Sequence, residues 1–232
     1  MKPITTIYTL SAKIPQKLKF IFVSDLHGCE NAPILEAMKN SGPDAILVGG
    51  DFIHDSSIYE SGLEFLRLSA SLYPTLVSLG NHECRYSGDI RAEVIKSGAT
   101  LLDDSYTDFR GISIGGLSSC DSESAEDLNV DWICEFDSQE SFKLLLCHKP
   151  EYYEEYVKPT KIDLTLSGHA HGGQWRFFGR GVYAPGQGIL PKYTSGMYDS
   201  RLIVSRGLGN PHIVPRINNR PEIVVIDIKP LQ

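Results

Sequence analysis

Unbroken apolar runs alternate with helical periodicity through the first hundred residues. Residues 19–23, 45–48 and 75–79 are short, β-rich and apolar on both faces, which predicts three buried strands. Between them, residues 31–41 place Ile34, Leu35 and Met38 on one helical face, with Pro33 near the start. Residues 57–72 again read as helical, with Leu63, Leu66 and Leu68 apolar, and residues 90–96 as a short helix. The resulting βαβαβ order predicts a parallel sheet covered by helices. The second half differs. Residues 112–114, 142–146, 164–166, 202–204 and 223–228 read as strands, whereas helices are confined to residues 125–134 and 151–157. That half predicts a second, more mixed sheet. Residues 172–196, rich in Gly, Pro and aromatics, form long loops or a hairpin. With no repeat and no linker, residues 1–232 read as one α/β domain with two sheets packed face to face.

Composition narrows the functional classes. Apolar residues make up 41% of the chain and charged residues 22%, as in globular proteins generally. A formal charge of −7 argues against passive binding to nucleic acid or to an anionic membrane, so no stable nucleic-acid partner is expected. It leaves a nuclease open, because bound divalent cations would reverse the sign locally. Five cysteines without a CxxC pair indicate thiols in a reducing cytosol. No segment has the length or apolarity of a signal peptide or membrane span, so a cytoplasmic location is expected.

The chemistry-bearing residues gather at the C-terminal ends of predicted strands, where open α/β sheets bind ligands. Asp25 and His27 follow the first strand, Asp51 the second, and Asn81 and His82 the third. His148, then His169 and His171, follow two later ones. Five of the seven histidines fall in these motifs; His54 and His212 are read as surface residues. Asp51 has two carboxylate oxygens and can bridge two cations. The other aspartate and the histidines are hard and borderline ligands, and Asn81 adds an oxygen without charge. Two divalent cations, two aspartates and a hydroxide leave a net charge of about +1, which suits an anionic phosphate ester. Each motif alone is an ordinary turn; the ordered set is specific.

Asp25-Leu26-His27, Gly50-Asp51, Gly80-Asn81-His82-Glu83, His148 and Gly168-His169-Ala170-His171 together resemble the calcineurin-like metallophosphoesterase superfamily. Gly172-Gly173-Gln174, residues 204–209 and residues 221–223 are similar to a bacterial phosphodiesterase branch of it. The resemblance implies a four-layer sandwich of two mixed β-sheets flanked by α-helices. It implies one metal held by Asp25, His27 and His171, another by Asn81, His148 and His169, and Asp51 as the bridge. His82 would not coordinate but would assist the leaving oxygen. Relatives often place an aspartate three residues after the bridge to orient that histidine. Here the position is His54, followed by Asp55, so the orienting role falls to Asp55, to another acid or to none.

The expected reaction is hydrolysis of a phosphate ester, preferably a diester, by a hydroxide bridging two divalent ions (Mn, Fe, Zn or Co). A phosphomonoesterase or phosphoprotein phosphatase is the alternative. The latter ranks lower, because Leu79 stands where those enzymes have an arginine. A non-catalytic scaffold on the same fold is the alternative from another class. Arg206 is a candidate phosphate contact, while Arg201, Arg216 and Arg220 are expected in solvent. Trp175, Phe177 and Phe178 read as a packed hairpin in preference to a substrate wall.

Overall fold

The computed structural model describes residues 1–120, 128–210 and 214–231. In chain order, the first half comprises β1 (Ile4–Ala12), β2 (Leu18–Val23), α1 (Ala32–Ser41), β3 (Ala45–Gly49), α2 (Glu60–Leu72), β4 (Thr75–Ser78), α3 (Ile90–Lys96) and β5 (Thr100–Leu101). The second comprises β6 (Ser105–Phe109), β7 (Ile112–Leu117), α4 (Asp131–Asp137), β8 (Lys143–Cys147) and β9 (Leu164–Ser167). Four short strands follow, β10 (Arg176–Phe177), β11 (Arg180–Gly181), β12 (Tyr183–Ala184) and β13 (Gly188–Ile189). The chain ends with β14 (Gly196–Tyr198), β15 (Leu202–Val204) and β16 (Glu222–Pro230).

Two six-stranded sheets result, ordered β1-β16-β2-β3-β4-β5 and β14-β15-β9-β8-β7-β6. Both are mixed. In the first, β16 runs antiparallel to β2 and parallel to β1; in the second, β6 and β14 are antiparallel edges on a parallel core. The period-2 alternation of each buried strand divides its side chains between two layers. Phe20 and Phe22 of β2 enter the space between the sheets with Leu144, Leu146 and Ile226, whereas Ile21 and Val23 face Ile34, Met38 and Leu66 of the helices. On the far side, Leu145, Leu202 and Val204 pack against Ile133, Phe136 and Tyr153. The layers are therefore helix, sheet, sheet, helix, as expected.

Two expectations are corrected. Residues 223–228 belong to the first sheet, as part of β16, and not to the second. The N-terminal segment, for which no element was expected, is the edge strand β1. One face, with Ile4, Thr6, Tyr8 and Leu10, is half-buried and the other is exposed, so no buried run marks it. Residues 151–157 form a 3₁₀ turn and a π turn, not an α-helix, with Pro150 leading in. Of the helix expected at 125–134, residues 125–127 lie outside the described residues; α4 begins at Asp131. The sheet-to-sheet layer makes a direct stability prediction. Phe22→Ala removes a fully buried ring there and should cost about 3–5 kcal/mol, read as a lower melting temperature.

Candidate metal centre

All the motif residues converge on one edge, where β2, β3 and β4 of one sheet meet β8 and β9 of the other. The sheets touch through the His148 ring, whose Nδ1 hydrogen-bonds the Gly49 carbonyl at 2.7 Å. Such close approach needs glycine: a Cβ on Gly50, at φ 84°, would stand 2.6 Å from the Gly80 nitrogen. Ligand atoms of Asp25, His27 and His171 lie within 4.8 Å of one another, as do those of Asp51, His148 and His169. Asp51 lies between the groups, its Oδ2 3.6 Å from His27 Nε2 and 3.1 Å from His148 Nε2. On the other side, His171 Nε2 is 3.5 Å from Asp25 Oδ1. Asn81 Oδ1 is buried without a hydrogen-bond partner.

Several observations show that these residues fit divalent cations. His27 Nε2 and Asn81 Oδ1 are buried polar atoms without a hydrogen-bond partner, an arrangement that costs free energy unless something else satisfies them. Asp25, His27, Asp51, His169 and His171 all adopt positive φ, between 42° and 62°. Each such residue costs about 1–2 kcal/mol, strain that persists where function needs a side chain aimed. Burial pushes His27 down to about 3 and His169 well below the usual imidazole range, so both rings offer neutral lone pairs. Burial disfavours charge at His148 as well, but the adjacent Asp51 carboxylate outweighs it and raises that imidazole to about 10. Reciprocally, burial alone would raise Asp51, yet His148 and then His27 and His82 hold it well below the carboxylate range.

The motifs concealed how these loops are supported. Glu83 is fully buried, and its carboxylate accepts the Gly80 N–H at 2.6 Å, the Asp51 N–H at 2.9 Å and the Ile53 N–H at 3.2 Å. One side chain thus clamps the loops after β3 and β4 together. Burial, then the charge of Asp51, raises its pKa to about 8. Asp51 Oδ1 in turn accepts the His82 N–H at 2.9 Å.

His82 Nδ1 hydrogen-bonds the His54 backbone carbonyl at 2.6 Å. No acid orients it. Asp55 is turned away into its own loop, accepting from Ser57 and Ile58. His54, expected at the surface, is partly buried beside the centre: its Nδ1 lies 3.4 Å from His27 Nδ1 and its ring is 5.0 Å from that of His82. The other leftover histidine, His212, lies outside the described residues.

The arginines are redistributed too. Arg216, expected in solvent, is buried, binds the carbonyls of Arg206 and Gly209, and places Nη2 3.3 Å from His171 Nδ1. Arg201 binds the carbonyls of Thr160 and Ile162. The side chain of Arg206 lines a concavity with Phe177, Phe178 and Asn218, in which no ligand candidate takes part. A cleft of about 760 Å³, bounded by His27, Gly28, Leu208 and Arg216, opens beside the centre.

The Glu83 clamp generates a prediction. Glu83→Ala orphans three buried amides and should lower stability by roughly 3–9 kcal/mol, at about 1–3 kcal/mol for each unsatisfied group. It should also weaken metal binding, measured by calorimetry at a temperature where the variant remains folded. Unchanged affinity would show that Glu83 supports the fold but not the centre.

Comparison with known proteins agrees with this geometry. The profile of the calcineurin-like phosphoesterase family matches residues 18–173, a segment that contains all seven candidate ligands and His82. The chain is 27% identical to the phosphodiesterase YaeI of Escherichia coli, over 90% of this chain and 82% of that one. It is 30% identical to the uncharacterized metallophosphoesterase YkuE of Bacillus subtilis, over 84% of this chain and 71% of the relative. Among solved structures, the phosphopantetheinyl hydrolase of Mycobacterium tuberculosis superposes with a TM-score of 0.51 at 14% identity, covering 85% of this chain and 92% of that one, a likeness of fold. With the motifs on one edge and the profile spanning them, the chain belongs to the calcineurin-like phosphoesterase family.

Proposed function

We propose that the protein is a metal-dependent phosphodiesterase. The observation that carries this reading is the pair of buried ligand groups meeting at Asp51 on the joint edge of the two sheets. Asp25, His27 and His171 would hold one divalent cation, Asn81, His148 and His169 the other, and Asp51 both. Mixed oxygen and nitrogen donors suit Mn, Fe, Zn or Co. Bound there, the cations would supply an activated water and would neutralise charge on the phosphoryl oxygens.

The chain's own residues do the rest. His82 is the candidate acid. Its Nδ1–H is donated to the His54 carbonyl, which fixes the ring; burial lowers the imidazole below its ordinary range, and Asp51 and the His54 carbonyl offset part of that, while Nε2 lies 3.9 Å from Asp51 Oδ2. The Arg85 guanidinium lies over the same ring, 3.2 Å from both nitrogens, and limits its movement. A diester is preferred because the E. coli relative, 27% identical over 90% of this chain, is named a phosphodiesterase.

Three outcomes are expected of the metal-loaded protein. The kcat/KM on an aryl diester should exceed that on the matched aryl monoester; the reverse order would make the enzyme a monoesterase. Asp51→Asn should lose bound metal, read by elemental analysis, together with all turnover. His82→Ala should keep its metal and lose about 10²–10⁴-fold in kcat. That loss should grow as the leaving group becomes more basic, because only a poor leaving group needs its proton. A uniform loss across leaving groups would remove His82 from the acid role. Full metal loading of the wild type without any hydrolysis would favour a binding scaffold.

A further inference from the structure

The overall charge conceals a segregation. Residues 172–221 hold seven Lys and Arg against a single acid, Asp199, a formal +6, while the remainder holds 15 against 28, a formal −13. Of those seven cations, only Lys192 pairs with a carboxylate, that of Glu154, among the described residues. Arg176, Arg201 and Arg216 spend their hydrogen bonds on neutral carbonyls, which leaves their charge in place.

The same segment displays the most exposed apolar tips of the molecule. Expected to be packed, Phe178 is instead fully exposed; Ile189 and Leu190 are 79% and 75% exposed, and Phe177 and Tyr183 about half. The two hairpins that carry them are adjacent. Val182 donates its N–H to the Gly173 and Trp175 carbonyls and accepts the Leu190 N–H. Arg180, Leu190 and Lys192 share one concavity, and Phe177, Phe178 and Arg206 another; neither contains an acid. Phe178 and Leu190 have φ of 51° and 55°, backbone that an apolar side chain rarely adopts.

We propose that this face docks on an anionic phospholipid bilayer. Aromatic and aliphatic tips would enter the interface while Arg180 and Arg206 meet the headgroups. The charge decides among possible occupants. A second copy meeting the first symmetrically would set this basic field against itself. Nucleic-acid stacking would use the aromatic tips but would leave Ile189 and Leu190 without a role. The surface begins at Gly173, two residues beyond His171, and Gly181 packs on Gly173, so a docked protein would present its metal centre close to the membrane. The inference rests on charge and exposure and stands whether or not the catalytic reading holds.

The test is co-sedimentation of the full chain with vesicles containing phosphatidylglycerol, against vesicles of phosphatidylcholine alone. Binding should require the anionic lipid and weaken with salt. Phe177→Ser with Phe178→Ser should reduce partitioning by about tenfold or more, and Arg180→Glu by at least about fivefold. Ile189→Ser with Leu190→Ser provides a second apolar variant, and all three should melt like the wild type because the replaced side chains are exposed. Absence of binding, or binding that the variants leave unchanged, overturns the proposal. So does a dimer in light scattering that the phenylalanine pair abolishes, or tighter binding to a single-stranded oligonucleotide than to the vesicles.

Discussion

Two buried aspartates impose the constraint on which the rest of the structure depends. Asp25 and Asp51 are essentially inaccessible to solvent, and uncompensated carboxylates in that position would be prohibitively costly. The chain compensates with what the fold can bring. The Ser24 hydroxyl and the His169 N–H bind Asp25, the His82 N–H binds Asp51, and the rings of His27, His148 and His171 surround the pair. The arrangement leaves polar atoms of His27 and Asn81 buried and unsatisfied. Positively charged ions are the natural complement of two buried carboxylates flanked by neutral imidazoles such as those of His27 and His169.

That constraint explains the architecture. Parallel strands deliver their C-terminal ends to one edge, and packing two such sheets face to face puts both edges side by side. The interior between them, from Phe20 and Phe22 to Leu144 and Leu146, fixes their separation, so the centre inherits its rigidity from an apolar layer. Glycines at the contact allow backbone to meet backbone, and Glu83 ties the loops that carry Asp51 and Asn81. Strain at five left-handed residues is tolerated because both sheets hold the loops on either side.

The outer face obeys a different balance. A chain acidic overall keeps all but one of its acids out of a fifty-residue segment that holds seven Lys and Arg, displays exposed aromatic and aliphatic tips, and begins just after the last metal-site motif. The net charge cannot reveal this, because the segment's +6 is submerged in the −13 of the remainder.

The sequence by itself determined the candidate centre and most of the fold. The strands ending at Val23, Gly49 and Ser78 were legible because both faces are buried and their residues form unbroken apolar runs. The motif residues were legible because each follows such a run, so that strand direction alone sends them to one edge. Only the tertiary structure decided what depends on partners distant in the chain. The place of β16 beside β1 and β2 rests on pairing across some two hundred residues, and β1 has no buried face to announce it. The support of His82 comes from a main-chain carbonyl, which carries no side-chain identity for a sequence to record. Glu83, Arg216 and His54 looked like ordinary polar residues because their roles consist of the backbone atoms and rings that folding brings to them.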